Sequence, residues 1–172
     1  MAAQSKGYIF LVDDEQIQNE MLKDYISSRF NYQIKTFETG EDAIKEVNLN
    51  PDVVVLDFHL NSVNPGSLNG VEVLKKIKQL LPSTQVIMLS GQDKLEVAVD
   101  SMKYGAYDYV IKGETAFSRT ENILNNINEL RGLKQSNKTY KFVSVCLGIS
   151  IAVVIAISLI LVRRFDVVMP RQ

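Results

Sequence analysis

The chain of 172 residues is poor in the side chains that build disulfide frameworks and histidine-based metal sites. Its one cysteine, Cys146, excludes an intramolecular disulfide. Its one histidine, His59, cannot build a metal site by itself. The formal net charge is only −1, and no basic patch argues for a nucleic acid as partner. A disulfide-stapled fold and a nucleic-acid-binding module are therefore disfavoured.

We expect no secretion signal at the N-terminus. Residues 1–7 are short and polar, and the apolar run that follows them meets two aspartates. We therefore expect the first 141 residues to stay in the compartment where they are made.

One long stretch of the chain carries no charge at all. It runs from Phe142 to Val162 and reads FVSVCLGISIAVVIAISLILV. As a helix it spans roughly 31 Å at about 1.5 Å per residue, which is the hydrocarbon thickness of a bilayer. Helices inside small domains rarely stay apolar on every face for so long. The stretch therefore predicts a transmembrane helix.

Small residues recur every fourth position inside this stretch, at Ser144, Gly148, Ala152 and Ala156. Such a stripe allows two membrane helices to approach closely. We expect this face to pack against a second copy of the chain or against another membrane partner.

The preceding part of the chain alternates between two hydrophobic periods. Strand-like runs occur near residues 8–12, 32–37, 53–57, 84–90 and 107–111. Helical spacing occurs between them, most clearly over 14–30, 70–81 and 93–104, and again after residue 112. Five strands that alternate with five helices predict a doubly wound α/β fold, with a parallel sheet covered on both faces and right-handed crossovers.

Polar side chains stand where the predicted strands end. Asp13 and Asp14 follow the first run, and Asp57, Ser90 and Lys112 end or follow three later ones. The carboxyl ends of parallel strands share one edge of the sheet, where open α/β sheets bind their ligands. Three carboxylates in one crevice repel one another unless a cation sits among them, and oxygen ligands favour Mg²⁺. The sequence therefore predicts a magnesium site.

From about residue 6 to residue 130, the chain resembles the receiver domain of two-component response regulators. The resemblance is carried by Asp13-Asp14, Asp57, Ser90, Lys112 and the phrase Gly105-Ala106-Tyr107-Asp108-Tyr109. It implies a five-stranded, flavodoxin-like sheet of the CheY type. It also implies a phosphoacceptor switch that has no enzymatic activity beyond its own phosphorylation and dephosphorylation.

The same resemblance implies a role for each matched residue. Asp57 is the phosphoacceptor, and its donor is a sensor histidine kinase or a phosphotransfer protein. Ser90 and Lys112 contact the phosphoryl oxygens, and Ser90 with Tyr109 forms the switch that changes the face made by the fourth helix, fifth strand and fifth helix. Mg²⁺ is held by Asp13, Asp14, Asp57 and the backbone carbonyl of His59. His59 and Gln92 tune autodephosphorylation.

We expect a receiver domain over residues 1–133, a juxtamembrane linker over 134–141, the membrane helix over 142–162 and a polar tail over 163–172. The chain would be anchored in the inner membrane with its receiver in the cytoplasm, because ATP-dependent histidine kinases act in the cytoplasm. We expect no helix-turn-helix after the linker. Two function classes stay open. One is a switch whose output is contact with a downstream protein, and the other is a phosphate-independent adaptor, scaffold or phosphate sink.

Overall fold

A computed structural model of the chain describes residues 7–60, 66–91 and 95–168, without the side chains of 134–142, 152, 154 and 156–168. The described part alternates five strands with five α-helices. The elements are β1 (Tyr8–Val12), α1 (Gln16–Ser27), β2 (Gln33–Phe37), α2 (Gly40–Lys45), β3 (Val53–Asp57), α3 (Gly70–Leu80), β4 (Gln85–Ser90), α4 (Leu95–Lys103), β5 (Asp108–Ile111) and α5 (Ala116–Val168), with a 3-10 turn at Val47–Leu49.

The strands form one parallel sheet in the order β2-β1-β3-β4-β5. This order confirms the predicted doubly wound, flavodoxin-like sheet. The order reverses between β1 and β3, and such a switch point is where open α/β sheets place their ligands. In the register, Val12 lies opposite Leu56. Asp13 is the residue after Val12 and Asp57 is the residue after Leu56, so the two aspartates are neighbours at the carboxyl edge.

A hydrophobic cluster between the sheet and its helices holds the strands in this register. Most of its buried members come from β1, β3, β4 and α3, and these are Phe10, Val12, Val54, Leu56, Val73, Leu74, Ile77, Val86 and Met88. α3 begins with a capping box, in which the Asn69 side chain accepts from the Glu72 backbone N–H and the Glu72 side chain accepts from that of Asn69. The cap fixes the residue at which α3 begins.

The chain divides into two compact units, Met1–Asn125 and Asn126–Gln172. The sheet belongs to the first unit. In the second unit, Val143, Val145, Leu147 and Ile149 are exposed. Within the described residues, no helix combines the length and the apolar character that crossing a bilayer requires. The predicted transmembrane helix is therefore not supported by the structure. The side chains at 142, 152, 154 and 156–162 of that prediction lie outside the described residues.

Candidate functional site

Three carboxylates meet at the carboxyl edge of the sheet. Asp13, Asp14 and Asp57 each offer one oxygen, and these three oxygens lie within 4.8 Å of one another. Asp57 is only 2% exposed and Asp13 only 5%, while Asp14 is half-buried. Negative charges this close and this poorly hydrated need a cation among them.

Lys112 supplies one positive charge to this group. Its Nζ lies 2.7 Å from Asp13 Oδ2 and 2.9 Å from Asp57 Oδ1. The loop that carries it is held to the sheet, because the backbone N–H of Lys112 donates to the carbonyl of Ser90 at 2.7 Å. One ammonium among three carboxylates still leaves the site negative.

Two backbone N–H groups orient the buried carboxylates. The N–H of Glu15 donates to Asp13 Oδ1 at 3.0 Å, and the N–H of His59 donates to Asp57 Oδ2 at 3.0 Å. Hydrogen bonds to an ionised carboxylate are stronger than neutral ones. Both side chains are thus held in defined orientations by the loops in which they lie.

Burial and charge act in opposite directions on Asp57. Burial raises the pKa of Asp57 above its usual range, the ammonium of Lys112 opposes that rise, and the charge of Asp13 adds to it. Burial by itself would lower the pKa of Lys112, but its contacts with Asp13 and Asp57 outweigh burial and raise that pKa. The lysine is therefore held in its charged form, whereas ionisation of Asp57 costs free energy until a further cation binds.

The donor set fits a hard divalent cation. Three carboxylate oxygens converge, and oxygen is the ligand type that Mg²⁺ requires. One buried oxygen of Asp14, Oδ2, has no hydrogen-bond partner among the described residues. A buried carboxylate oxygen normally has a partner, so this atom is placed as a ligand would be.

The other predicted residues lie around this centre. Ser90 is fully buried at the end of β4. Tyr109 is half-buried in β5 and packs against the hydrophobic cluster. The ring of His59 stands edge-on to that of Phe58, with centroids 4.7 Å apart. Gln92 lies outside the described residues. The structure thus brings Asp13, Asp14, Asp57 and Lys112 into direct proximity. Ser90 lies at the same carboxyl edge of the sheet, because it is the last residue of β4.

The sequence interpretation missed Asn19. This residue is 3% exposed, and its side-chain amide donates to the carbonyls of Asp13 at 2.8 Å and Phe37 at 3.0 Å. The available signal was its spacing, because Asn19 stands three residues before Leu22 and seven before Ile26, the other buried residues of α1. A polar residue in register with a buried helix face indicates a specific hydrogen-bonding role.

Gly70 lies against the backbone of the predicted acceptor. Its N–H donates to the carbonyl of Phe58 at 3.0 Å. A Cβ at this position would overlap the carbonyl oxygen of Asp57 and would come within 2.7 Å of the Cα of Phe58. The start of α3 can approach β3 this closely only because residue 70 has no side chain.

Comparison with known proteins identifies the family. The sequence profile of the response regulator receiver domain matches residues 9–124. The chain belongs to this receiver family. Receiver domains in general are phosphoacceptor switches that are phosphorylated on an aspartate, bind Mg²⁺ at an acidic cluster and interact with histidine kinases or phosphotransfer proteins.

Individual relatives of this receiver differ in total length. It is 27% identical to the chemotaxis protein CheY of Thermotoga maritima over 106 residues, covering 60% of this chain and 83% of CheY. It is 31% identical to the protein-glutamate methylesterase/protein-glutamine glutaminase of the same organism over 116 residues, covering 65% of this chain but 32% of that protein. The receiver domain of NtrX from Brucella abortus superimposes with a TM-score of 0.62 at 28% identity, covering 70% of this chain and 98% of that structure.

Proposed function

We propose that this receiver accepts a phosphoryl group on Asp57 from a sensor histidine kinase or a phosphotransfer protein, and that it signals from the membrane surface. One observation carries the proposal. The ammonium of Lys112 contacts both Asp57 and Asp13, and a third carboxylate completes a cation site around the same point. The nucleophile, a phosphoryl-binding cation and a metal-binding pair thus occupy one crevice.

The transfer itself needs little more than positioning and charge neutralisation. An oxygen of Asp57 forms a bond to phosphorus while the bond from phosphorus to the imidazole nitrogen of the donor breaks, and the electron pair of that bond stays on the nitrogen. Lys112 neutralises charge on the phosphoryl oxygens. Asp13, Asp14, Asp57 and the carbonyl of His59 would hold Mg²⁺, which would supply the rest of that neutralisation. The product is an acyl phosphate on Asp57.

The surface beside the crevice suits a helical phosphodonor. On α1, Ile17 is 75% exposed and Met21 is 53% exposed. Met21 also borders a cavity of about 350 Å³ that Asp13, Lys112 and Phe117 help to line. A donor helix with an apolar face can dock there and bring its phosphohistidine to Asp57, because exposed apolar residues one turn apart form a typical helix-docking surface.

The signal would leave by the face made by α4, β5 and α5. An acyl phosphate adds charge and acceptor oxygens, which draw the buried hydroxyl of Ser90 toward Asp57, and the ring of Tyr109 then takes up the vacated space. The apolar side chains exposed on this face support a protein contact; they are Leu95, Val99 and Met102 on α4 and Ile111 on β5. From the resemblance to the receiver family, we assign His59 and Gln92 the role of tuning the lifetime of the phosphate.

The uncharged run over residues 142–162 supports membrane anchoring, with the receiver in the cytoplasm and the tail on the other side. Seven large apolar residues between Val143 and Ile155 are exposed, and a helix surrounded by lipid needs such a surface. The stripe Ser144, Gly148, Ala152 and Ala156 would let two such helices pair into a homodimer.

Acetyl phosphate labelling tests the proposal. The 172-residue chain in detergent is incubated with acetyl phosphate and Mg²⁺, and intact mass is measured. Wild type should gain one phosphoryl group, the exposed control Asp24→Asn should gain it too, and Asp57→Asn should not. An unlabelled wild type would refute the switch. Labelling that leaves the binding of every partner unchanged would favour the adaptor or phosphate-sink alternative.

A further inference from the structure

We propose that Asn19 positions Asp13 and Asp14 for Mg²⁺ by holding the peptide group that joins them. This inference rests on the proposed function, because it assigns Asn19 to the metal site of the same crevice. Asn19 is a positioning residue and does not itself reach the carboxylate oxygens, since both of its hydrogen bonds go to backbone carbonyls.

Asn19 connects the ends of two strands. Its amide has two N–H groups; one donates to the carbonyl of Asp13 at 2.8 Å, and the other to the carbonyl of Phe37 at 3.0 Å. The same Phe37 carbonyl also accepts from the backbone N–H of Asp13 at 3.1 Å. The side chain is almost completely buried, so water cannot easily replace these bonds.

The carbonyl of Asp13 belongs to the planar peptide group between Asp13 and Asp14. An amide that fixes the direction of this carbonyl also fixes the whole plane, and with it the direction in which Asp14 leaves the strand. The carboxylate of Asp13 is held independently by the N–H of Glu15 and by Lys112. The peptide plane, together with the side-chain torsions of Asp14, therefore decides where the oxygens of Asp14 lie relative to those of Asp13 and Asp57.

Asp14 Oδ2 is the atom that depends most on this plane. It is buried and has no hydrogen-bond partner among the described residues, whereas the carboxylates of Asp13 and Asp57 each have a backbone donor and the lysine. No described hydrogen bond to that oxygen would hold it in place if the peptide plane rotated. Loss of the Asn19 amide should therefore act mainly on the ligand geometry of Asp14.

A purely structural role for Asn19 makes a different prediction. In that case, removing the amide lowers stability because two buried carbonyls lose a donor, but the affinity of the folded protein for Mg²⁺ stays the same. Leu22 provides a matched control, because it is buried on the same face of α1 one turn further along. Leu22→Ala lowers stability by loss of packing without altering any hydrogen bond of Asp13.

The test is calorimetric titration of MgCl₂ into the folded 172-residue chain in detergent, for wild type, Asn19→Leu, Asn19→Ala and Leu22→Ala. Asn19→Leu keeps the branched shape of the side chain without its amide, and Asn19→Ala carries the test if the larger leucine does not fit. Both should bind Mg²⁺ about 10-fold more weakly than wild type, which is the usual effect of losing a residue that orients a metal ligand. Leu22→Ala should bind within about 2-fold of wild type by the same reasoning, despite a lower urea midpoint.

Wild-type affinity in a folded Asn19 variant would overturn the inference, and so would an equal loss in Leu22→Ala. Failure of both Asn19 variants to fold would also overturn it, in favour of the structural role. Acetyl phosphate labelling of wild type reports separately on the proposed function. A wild type that binds Mg²⁺ through an Asn19-dependent site but takes up no phosphate would refute the switch and leave the positioning role standing.

Discussion

Replacing Asp57 with asparagine should stabilise the folded protein when Mg²⁺ is absent. Asp57 is 2% exposed and shares its crevice with two other carboxylates and one ammonium. Ionised Asp57 must therefore be held in a poorly hydrated and still negative environment. Asparagine has nearly the same shape and carries no charge, so it removes this cost and leaves the 2.7 Å contact between Lys112 and Asp13 in place.

The size of the effect follows from the geometry. At an effective dielectric constant of about 20, two carboxylate oxygens at the 4.8 Å limit repel by roughly 3.5 kcal/mol and closer ones repel more, whereas the 2.9 Å contact with Lys112 attracts by roughly 6 kcal/mol. The two repulsions on Asp57 therefore at least offset the one attraction. What remains is the cost of desolvating a buried charge. We expect Asp57→Asn to raise the free energy of unfolding by about 1–2 kcal/mol, once the imperfect hydrogen bonding of asparagine is counted.

The gain in stability from Asp57→Asn should increase as the pH rises. Burial raises the pKa of Asp57 in the folded protein, so the folded state holds its proton to higher pH than the unfolded chain does. The cost of ionisation is absent below the ordinary pKa of 3.8, grows as the pH rises toward the folded-state pKa, and is complete above it. Asparagine should therefore show its full advantage at neutral pH and none near pH 3.

Urea unfolding followed by circular dichroism in EDTA measures this difference. With a slope of about 2 kcal/mol per molar urea, the midpoint of Asp57→Asn should rise by roughly 0.5–1 M at neutral pH. The exposed control Asp24→Asn should leave it unchanged. Saturating Mg²⁺ should stabilise wild type more than the variant and narrow the gap. A variant that is less stable than wild type in EDTA, or a gap that does not change with pH, would refute the electrostatic reasoning.

Three further changes test other parts of the structure. Lys112→Met should raise Mg²⁺ affinity about tenfold, because the ammonium competes with the metal for two carboxylates; calorimetry that shows equal or weaker binding would contradict this. Gly70→Ala should lower the free energy of unfolding by about 1–3 kcal/mol through overlap with the acceptor backbone, whereas Gly91→Ala, with open space at its Cβ, should not. Gly148→Leu combined with Ala152→Leu should abolish self-association in a membrane reporter assay; unchanged association would exclude the small-residue stripe as a dimer contact.

The three central strands, β1, β3 and β4, were predictable because they are buried on both faces. Runs such as Val53–Asp57 are apolar up to the residue at which the strand ends, and the predicted run at 53–57 has the same bounds as β3. The meeting of the polar residues at the strand ends was also predictable, because a parallel sheet leaves its carboxyl edge open to ligands. Asp13, Asp14, Asp57 and Lys112 meet there in the structure.

The inward face of α1 was less predictable. Apolar residues of this helix fall on two adjoining stripes, and the sequence alone does not say which one faces the sheet. The packing of α1 against the sheet decides this. It buries Asn19, Leu22 and Ile26 and leaves Ile17 and Met21 exposed. A polar residue in the core and an apolar surface beside the crevice both follow from that packing.

Local patterns along the chain were therefore enough to predict the succession of strands and helices, the polar residues at the strand ends and the chemical nature of the crevice. Hydrophobic period and strand termini are properties of neighbouring residues. Only packing in three dimensions decided that one lysine would bridge two carboxylates, that Asn19 would hold the peptide between Asp13 and Asp14, and that Gly70 would lie against Asp57. These contacts join residues on different elements, and their distances depend on how helices and strands pack, which no local pattern encodes.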